Sequence, residues 1–329
     1  MCFANREICA TAPLERQWSS VASKANLASI VPTPKIGLDV WMGKVLELAE
    51  KAAEDFDADA VHDLRVAMRR CRTMADALSE VNPDSGWRKV KKTSKPVFQD
   101  LGKLRDCQIE QDWVKKVGGR GDAFRRHMLK QLGEKEKRLK LLSAAALGGF
   151  ERKEWKKLQR KMSGKAQFFP PESVVYQRLA LARVNEAVEL FDRARRGKSR
   201  VAWHRLRIGL KRFRYTLENF LPARGTEWLP ELKELQDALG DVHDLDVLRA
   251  ESRRHSDGWD LAVTTLWLEK IERMRRERLD RVKARLLEKD QTFGKWRAGL
   301  QNGRALAATA ASNGIGAGVA VTALVERPA

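Results

Sequence analysis

Apolar residues return every three or four positions along most of this chain, the spacing of amphipathic helices, and proline or glycine interrupts the runs. Leu38, Trp41, Val45, Leu48 and Ala52 predict a helix from Leu38 to Ala53. The run that follows, from Val61 to Arg72, has two unlike faces. Leu64, Met68, Cys71, Ala75 and Leu78 share one arc. His62, Arg65, Arg69 and Arg72, at i, i+3, i+7 and i+10, share another of roughly 80°, centred about 120° from the first. A polar face normally mixes charges, but this one carries a single sign beside the apolar stripe. Asp57 or Asp59 supplies an N-cap, and Pro83 stops the helix.

The pattern recurs between Trp203 and Arg214, where His204 stands 142 residues after His62. His204, Arg207, Lys211 and Arg214 take the cationic positions, and Leu206, Leu210, Phe213, Leu217 and Phe220 the apolar ones. Ser199 is placed to cap this copy, and Pro222 to end it. A second block follows each copy: Leu101-Gly102-Lys103-Leu104-Arg105-Asp106, then Leu239-Gly240-Asp241-Val242-His243-Asp244, offset by 138 residues. Lys95 and Lys233 each stand six residues before the leucine of their block, and Pro96 has no counterpart at that offset. Agreement of both faces and both blocks points to an internal duplication.

Longer charged helices complete each half. Phe124, Met128, Leu132, Leu139 and Leu142 mark a buried side in the first. Leu261, Leu266, Leu268, Ile271 and Met274 begin one in the second that runs to about Leu287. Residues 150–162 read as a short basic helix, Gly164 to Pro171 as the boundary between halves, and Val174 to Arg195 as a further helix. No alternation of Val, Ile and Thr predicts strands. The fold class is therefore all-α, with four principal helices per half and short connections suited to antiparallel bundles. The domain spans residues 37–300, with halves at about 37–165 and 172–300. It is preceded by a loosely ordered leader, 1–36, and followed by a flexible Ala/Gly-rich tail, 301–329.

Charge sharpens this picture. Of 329 residues, 64 are Lys or Arg against 44 Asp or Glu, a net charge of +20, which favours acidic partners such as nucleic acid, polyphosphate or an anionic membrane. Cys2, Cys9, Cys71 and Cys107 form no CxxC pair and no zinc-like spacing with histidine, so a disulfide framework is not expected and a reducing, cytoplasmic setting is. The N-terminus lacks the layout of a secretory signal, and Ala305 to Val325 is too rich in Gly, Ser and Thr for a membrane span. No P-loop, paired catalytic carboxylates, nucleophile motif or metal cluster is visible, so neither an enzyme nor a cofactor is implied.

The doubled His-x-x-Arg-x-x-x-(Arg/Lys)-Arg-x-Arg, each copy followed by Leu-Gly-x-x-(Arg/His)-Asp, resembles the CHAD family, the conserved-histidine α-helical domain, over roughly residues 37–300. The resemblance implies two pseudo-symmetric antiparallel four-helix bundles whose basic faces meet around a shared cavity that binds inorganic polyphosphate, in some members on polyphosphate granules. It assigns His62, Arg65, Arg69, Arg70 and Arg72 as first-half ligands, and His204, Arg207, Lys211, Arg212 and Arg214 as second-half ones. Lys95, Lys233 and Arg105 are additions, and His243 stands in the place of Arg105. Some members carry a fused triphosphate-tunnel domain with Glu-x-Glu-x-Lys on a strand. Glu134-Lys135-Glu136-Lys137-Arg138 ends in arginine within a helical run, so it reads as surface charge.

Arginine suits such a ligand because its planar fork gives paired hydrogen bonds to phosphate oxygens. Asp106 and Asp244 have the wrong charge to touch phosphate and are expected to orient arginines from behind, or to cap a helix. The ten tryptophans are expected in core or groove packing. Two other readings remain: a nucleic-acid-binding protein, motivated by net charge but without helix-turn-helix or RNP motif, and a phosphohydrolase or phosphotransferase acting on polyphosphate.

Overall fold

A computed structural model describes residues 37–197, 199–287 and 292–301. The predicted leader and tail, with Cys2, Cys9 and the Ala305 to Val325 stretch, lie outside the described residues. Those described are helical and contain no strand. In order the helices are α1 (Leu38–Asp55), α2 (Ala58–Val81), α3 (Ser85–Val117), α4 (Ala123–Gly148), α5 (Arg152–Ala166), α6 (Val174–Arg196), α7 (Arg200–Phe220), α8 (Pro222–Arg254) and α9 (Leu261–Leu287). A tenth, α10, covers 292–301.

The signature helices form where local chemistry requires them. Asp57 accepts from the backbone N–H groups of Asp59 and Ala60, which caps α2 and holds the Asp57 carboxyl below its ordinary range. Ser199 caps α7 through the Ala202 N–H. The α7 helix ends at Phe220, and Pro222 opens α8 at a position that needs no N–H donor. Both predicted apolar stripes are buried along their whole length: Leu64, Met68, Cys71, Ala75 and Leu78 on α2, and Leu206, Leu210, Phe213, Leu217 and Phe220 on α7.

Sequential helices pack as neighbours, α1 on α2, α2 on α3 and α3 on α4, and the second half repeats this order from α6 to α9. The short α5 packs on α1 and α3. Between the halves α2 meets α7, and α3 meets both α8 and α9. Away from that polar meeting the halves share apolar packing, with Phe124 of α4 edge-on to Trp259 and Trp267 at 5.1 and 5.3 Å. Most of the tryptophans sit in the core, including Trp87, Trp155 and Trp296.

Four expectations need correction. The buried line of α4 passes through Leu139, Ser143 and Leu147 and leaves Leu142 51% exposed. On α9 it passes through Thr264, Trp267, Ile271, Arg275, Leu279 and Val282, leaving Leu261 and Leu266 79% and 67% exposed. In both helices polar residues occupy core-facing positions and disguise the stripe. Arg275 tolerates burial because Asp246 at 2.7 Å neutralises it. Gly164 lies within α5, so the boundary begins at Gln167. Finally, Lys135 is not loose surface charge. It lies 3.1 Å from Glu110 on α3 and 2.9 Å from Glu251 on α8, two buried carboxylates, and ties the halves together.

Candidate functional site

Where α2 and α7 meet, flanked by α3 and α8, cations from both halves converge. Arg65 is the most firmly seated. Its Nη1 donates to the Phe98 carbonyl at 3.0 Å, and its guanidinium lies 5.0 Å from the Phe98 ring. It fits because position 102 is glycine: a Cβ there would lie 2.7 Å from Nη1. The first Leu-Gly motif is thus a seat for an arginine. Gly240 has nothing within 4 Å of that position and seats none.

Arg69 rests over Tyr215 of α7 at 5.3 Å, and its buried Nε finds no acceptor. Arg105 reaches the Ala58 carbonyl through Nη1 at 3.4 Å, and its buried Nε is likewise unsatisfied. Lys211 feels the positive charge of Arg207, Arg69 and Arg65 together. Burial first, and then these three, push its ammonium down to about 7. Among the described residues, none of Arg65, Arg69, Arg105, Arg207 and Lys211 has a carboxylate within ion-pairing distance.

The histidines complete the junction. His204 and His243 face each other Nδ1 to Nδ1 at 3.2 Å, a contact that accommodates one proton between the two rings and not two. Burial, then Arg207, His204 and Lys211, push His243 down to about 4, while burial, then Arg207 and Lys211, lower His204. His62 is lowered by burial and then by Arg105 and Arg69. Asp106 is open to solvent and faces Arg65, Arg207 and Lys211. Asp244 accepts a hydrogen bond from Trp113 and interacts with Arg207, yet burial outweighs both and raises its carboxyl to about 6. The junction thus strips water from its bases and gives their cations little compensating negative charge.

A family model described as CHAD domain matches residues 42–253, more than half of the chain. The chain belongs to the CHAD domain family. The match covers both signature helices and both Leu-Gly blocks and stops before α9. Two of the solved structures that share the fold illustrate the likeness. The crystal structure of the CHAD domain from the plant Ricinus communis has a TM-score of 0.53 at 19% identity, covering 84% of this chain and 96% of that one. PptA from Streptomyces chartreusis has a TM-score of 0.58 at 15% identity, covering 78% and 97%. No curated protein sequence matches this chain.

Not every signature cation of this CHAD domain enters the junction. Arg72 is spent on α3, where its Nη1 donates to the Lys91 carbonyl at 2.6 Å and the Ser94 hydroxyl at 3.0 Å, two turns or less before Pro96 disturbs the helix. Arg70 stacks on Trp41 at 4.5 Å and pairs with Glu218 at 3.3 Å. Glu218 also holds Arg214 at 2.6 Å, and Glu186 holds Arg212 at 3.1 Å. Arg70 and Arg212 follow Arg69 and Lys211 directly in sequence, so the helix turns them about 100° away. Lys233 is exposed and pairs with Asp237, and Lys95 is exposed on α3. A cleft of about 250 Å³ opens beside the junction, with Thr73, Asp76, Glu80, Arg183, Arg212 and Tyr215 among its lining. The free cations do not line it, and its charges are already matched, Lys91 with Asp76 and Arg183 with Glu80.

Tyr215 and Glu218 were not singled out from the sequence. The signal for each was present: Tyr215 stands four residues after Lys211 on the same stripe, and Glu218 four after Arg214.

Proposed function

We propose that this CHAD domain binds inorganic polyphosphate at the junction, with the two matched blocks, related by internal duplication, acting as two arms on one chain. The observation that carries this reading is the convergence of Arg65, Arg69, Arg105, Arg207 and Lys211 without a paired carboxylate, two of the arginines presenting buried and unsatisfied Nε groups. An uncompensated cation is costly away from water, and a ligand that supplies phosphate oxygens removes that cost. Polyphosphate has no base or apolar group to recognise, and the junction offers charge and hydrogen-bond donors in kind. Asp244 orients Arg207 from the rear, while Asp106, on the solvent side, acts on Arg65 through its charge alone. Arg70, Arg212, Arg214 and Lys233 are held by carboxylates in the free protein and join the ligand set only by exchanging partners. A protein with this ligand would associate with polyphosphate granules.

A competition assay at fixed salt tests the reading, with long polyphosphate set against duplex DNA, RNA and orthophosphate. Polyphosphate should displace a labelled polyphosphate probe far below the concentrations the others need, and Arg69→Ala with Arg207→Ala should abolish that preference. Equal displacement by DNA would instead support nucleic-acid binding. Release of phosphate in the presence of a divalent metal would support a hydrolase.

A further inference from the structure

A second concentration of positive charge lies on α5 and the first half of α3, and none of its exposed cations is among the five that converge at the junction. Helix α5 carries seven cations against one carboxylate within Arg152–Ala166. Two are neutralised, Arg152 by Glu50 and Lys165 by Asp84. The remaining five, Lys153, Lys156, Lys157, Arg160 and Lys161, are exposed and have no ion pair among the described residues. At 100° per residue they occupy one arc of roughly 140°, and at 1.5 Å per residue they extend along about 12 Å.

The neighbouring helix adds to this face. From Ser85 to Gln99, α3 carries five cations and no carboxylate. Lys91 is paired with Asp76, while Arg88, Lys89, Lys92 and Lys95 are exposed and unpaired among the described residues. The start of α3 and the end of α5 are in contact: Met162 fills the space above Gly86, and Lys165 bonds Asp84. The two cationic arcs therefore lie on adjoining helices.

We propose that this α3/α5 face is an exterior binding site for linear polyphosphate, distinct from the junction, so that one protein molecule can hold two stretches of polyanion and bridge chains. The occupant follows from what the face lacks. The apolar side of α5, Trp155, Leu158, Met162 and Ala166, is buried against the bundle, and the Trp155 indole donates to the Met42 carbonyl at 2.9 Å. Helix α5 itself leaves no apolar surface for insertion among lipid chains, and the exposed Phe168 stands as a single ring past its end, beyond the line of cations. No aromatic stands between the cations as a platform for bases. A line of charges with nothing else to read suits an inorganic polyanion.

The test uses the full chain and a variant with Lys153→Gln, Lys156→Gln, Lys157→Gln, Arg160→Gln and Lys161→Gln, all exposed and expected to leave helicity and melting unchanged. Binding of tripolyphosphate, too short a chain to span the exterior line of cations, should stay within about twofold of wild type. With long polyphosphate, light scattering from bridged assemblies should be lost, and the slope of log affinity against log salt should shrink by about 4, nearly one counterion for each of the five lost contacts. An unchanged salt slope, or unchanged scattering, overturns the exterior site. An equal loss of slope with duplex DNA overturns polyphosphate as its occupant. Failure of the junction reading shows separately, as tripolyphosphate binding that survives Arg69→Ala with Arg207→Ala.

Discussion

Lys211 offers the sharpest test of the junction, because its charge should depend on whether the site is filled. In the free protein burial and three arginines hold its ammonium at about 7, against an ordinary value of 10.5. At pH 8.5 it is then about 3% charged, from the ratio that a gap of about 1.5 units sets. A bound polyanion reverses the local field and restores most of the ordinary value, so binding at pH 8.5 should take up about 0.9 proton. Other groups contribute little at that pH. The three junction histidines are lowered and neutral in the free protein, remain neutral even if restored to 6.5, and Asp244 is ionised throughout. The terminal phosphates lie well above their second pKa of about 6. Calorimetry in two buffers of different ionisation enthalpy measures the uptake directly. Wild type should show it, and Lys211→Met should not. Affinity of wild type should also weaken nearly tenfold per unit as pH rises from about 7.5 to 9.5. Stability supplies an independent check of sign. A base that prefers to be neutral when folded carries its full cost below about 7 and loses it as pH rises through 10.5. Lys211→Met should therefore be the more stable protein at pH 6–7, and the gap should close toward pH 10. The shift sets a ceiling of about 5 kcal/mol, and partial solvent access brings the expectation to about 2–3 kcal/mol. Equal proton uptake by both proteins at pH 8.5 would show that Lys211 does not face the ligand.

Other perturbations address other parts of the site. His62→Gln with His204→Gln should reduce proton uptake near pH 6, since burial and neighbouring cations disfavour the charged form of both rings in the free protein, and affinity of wild type should strengthen as pH falls through about 6.5; uptake identical to wild type would exclude them. Arg65→Ala and Arg207→Ala, measured singly and together by calorimetry, should couple beyond the additive range of about 0.3–0.5 kcal/mol, whereas strict additivity with two separable binding events would mean two independent sites. Gly102→Ala should displace the flexible end of Arg65 and weaken polyphosphate binding several-fold with little change in melting. Gly240→Ala, in open space within α8, should raise stability by about 0.5–1 kcal/mol and leave affinity unchanged, as chemical denaturation and a binding titration would show.

Much of this molecule was legible from the order of its residues alone. The stripes of α2 and α7, the caps at Asp57 and Ser199 and the stops at Pro83 and Pro222 all act within one or two helical turns, so periodicity and local hydrogen bonding were enough to place them. The pairing of cations was not. Arg69 and Arg70 are adjacent in sequence, yet one keeps an unsatisfied Nε beside Tyr215 and the other is neutralised by Glu218, far along the chain. Nothing local distinguishes them, because the counter-charge comes from another helix and only packing chooses it. The same holds for Arg72, which sequence pattern placed with the ligands and tertiary structure turned onto the α3 backbone, and for Lys135, drawn between Glu110 and Glu251. On α9 the buried Arg275 interrupts the apolar spacing of the core line, and only Asp246, brought beside it from α8, makes its burial tolerable. The depressed ammonium of Lys211 belongs to the fold as well, since burial and the approach of α2 cause it. Sequence set which residues could be cationic and on which face; the meeting of four helices decided which of those charges stay uncompensated.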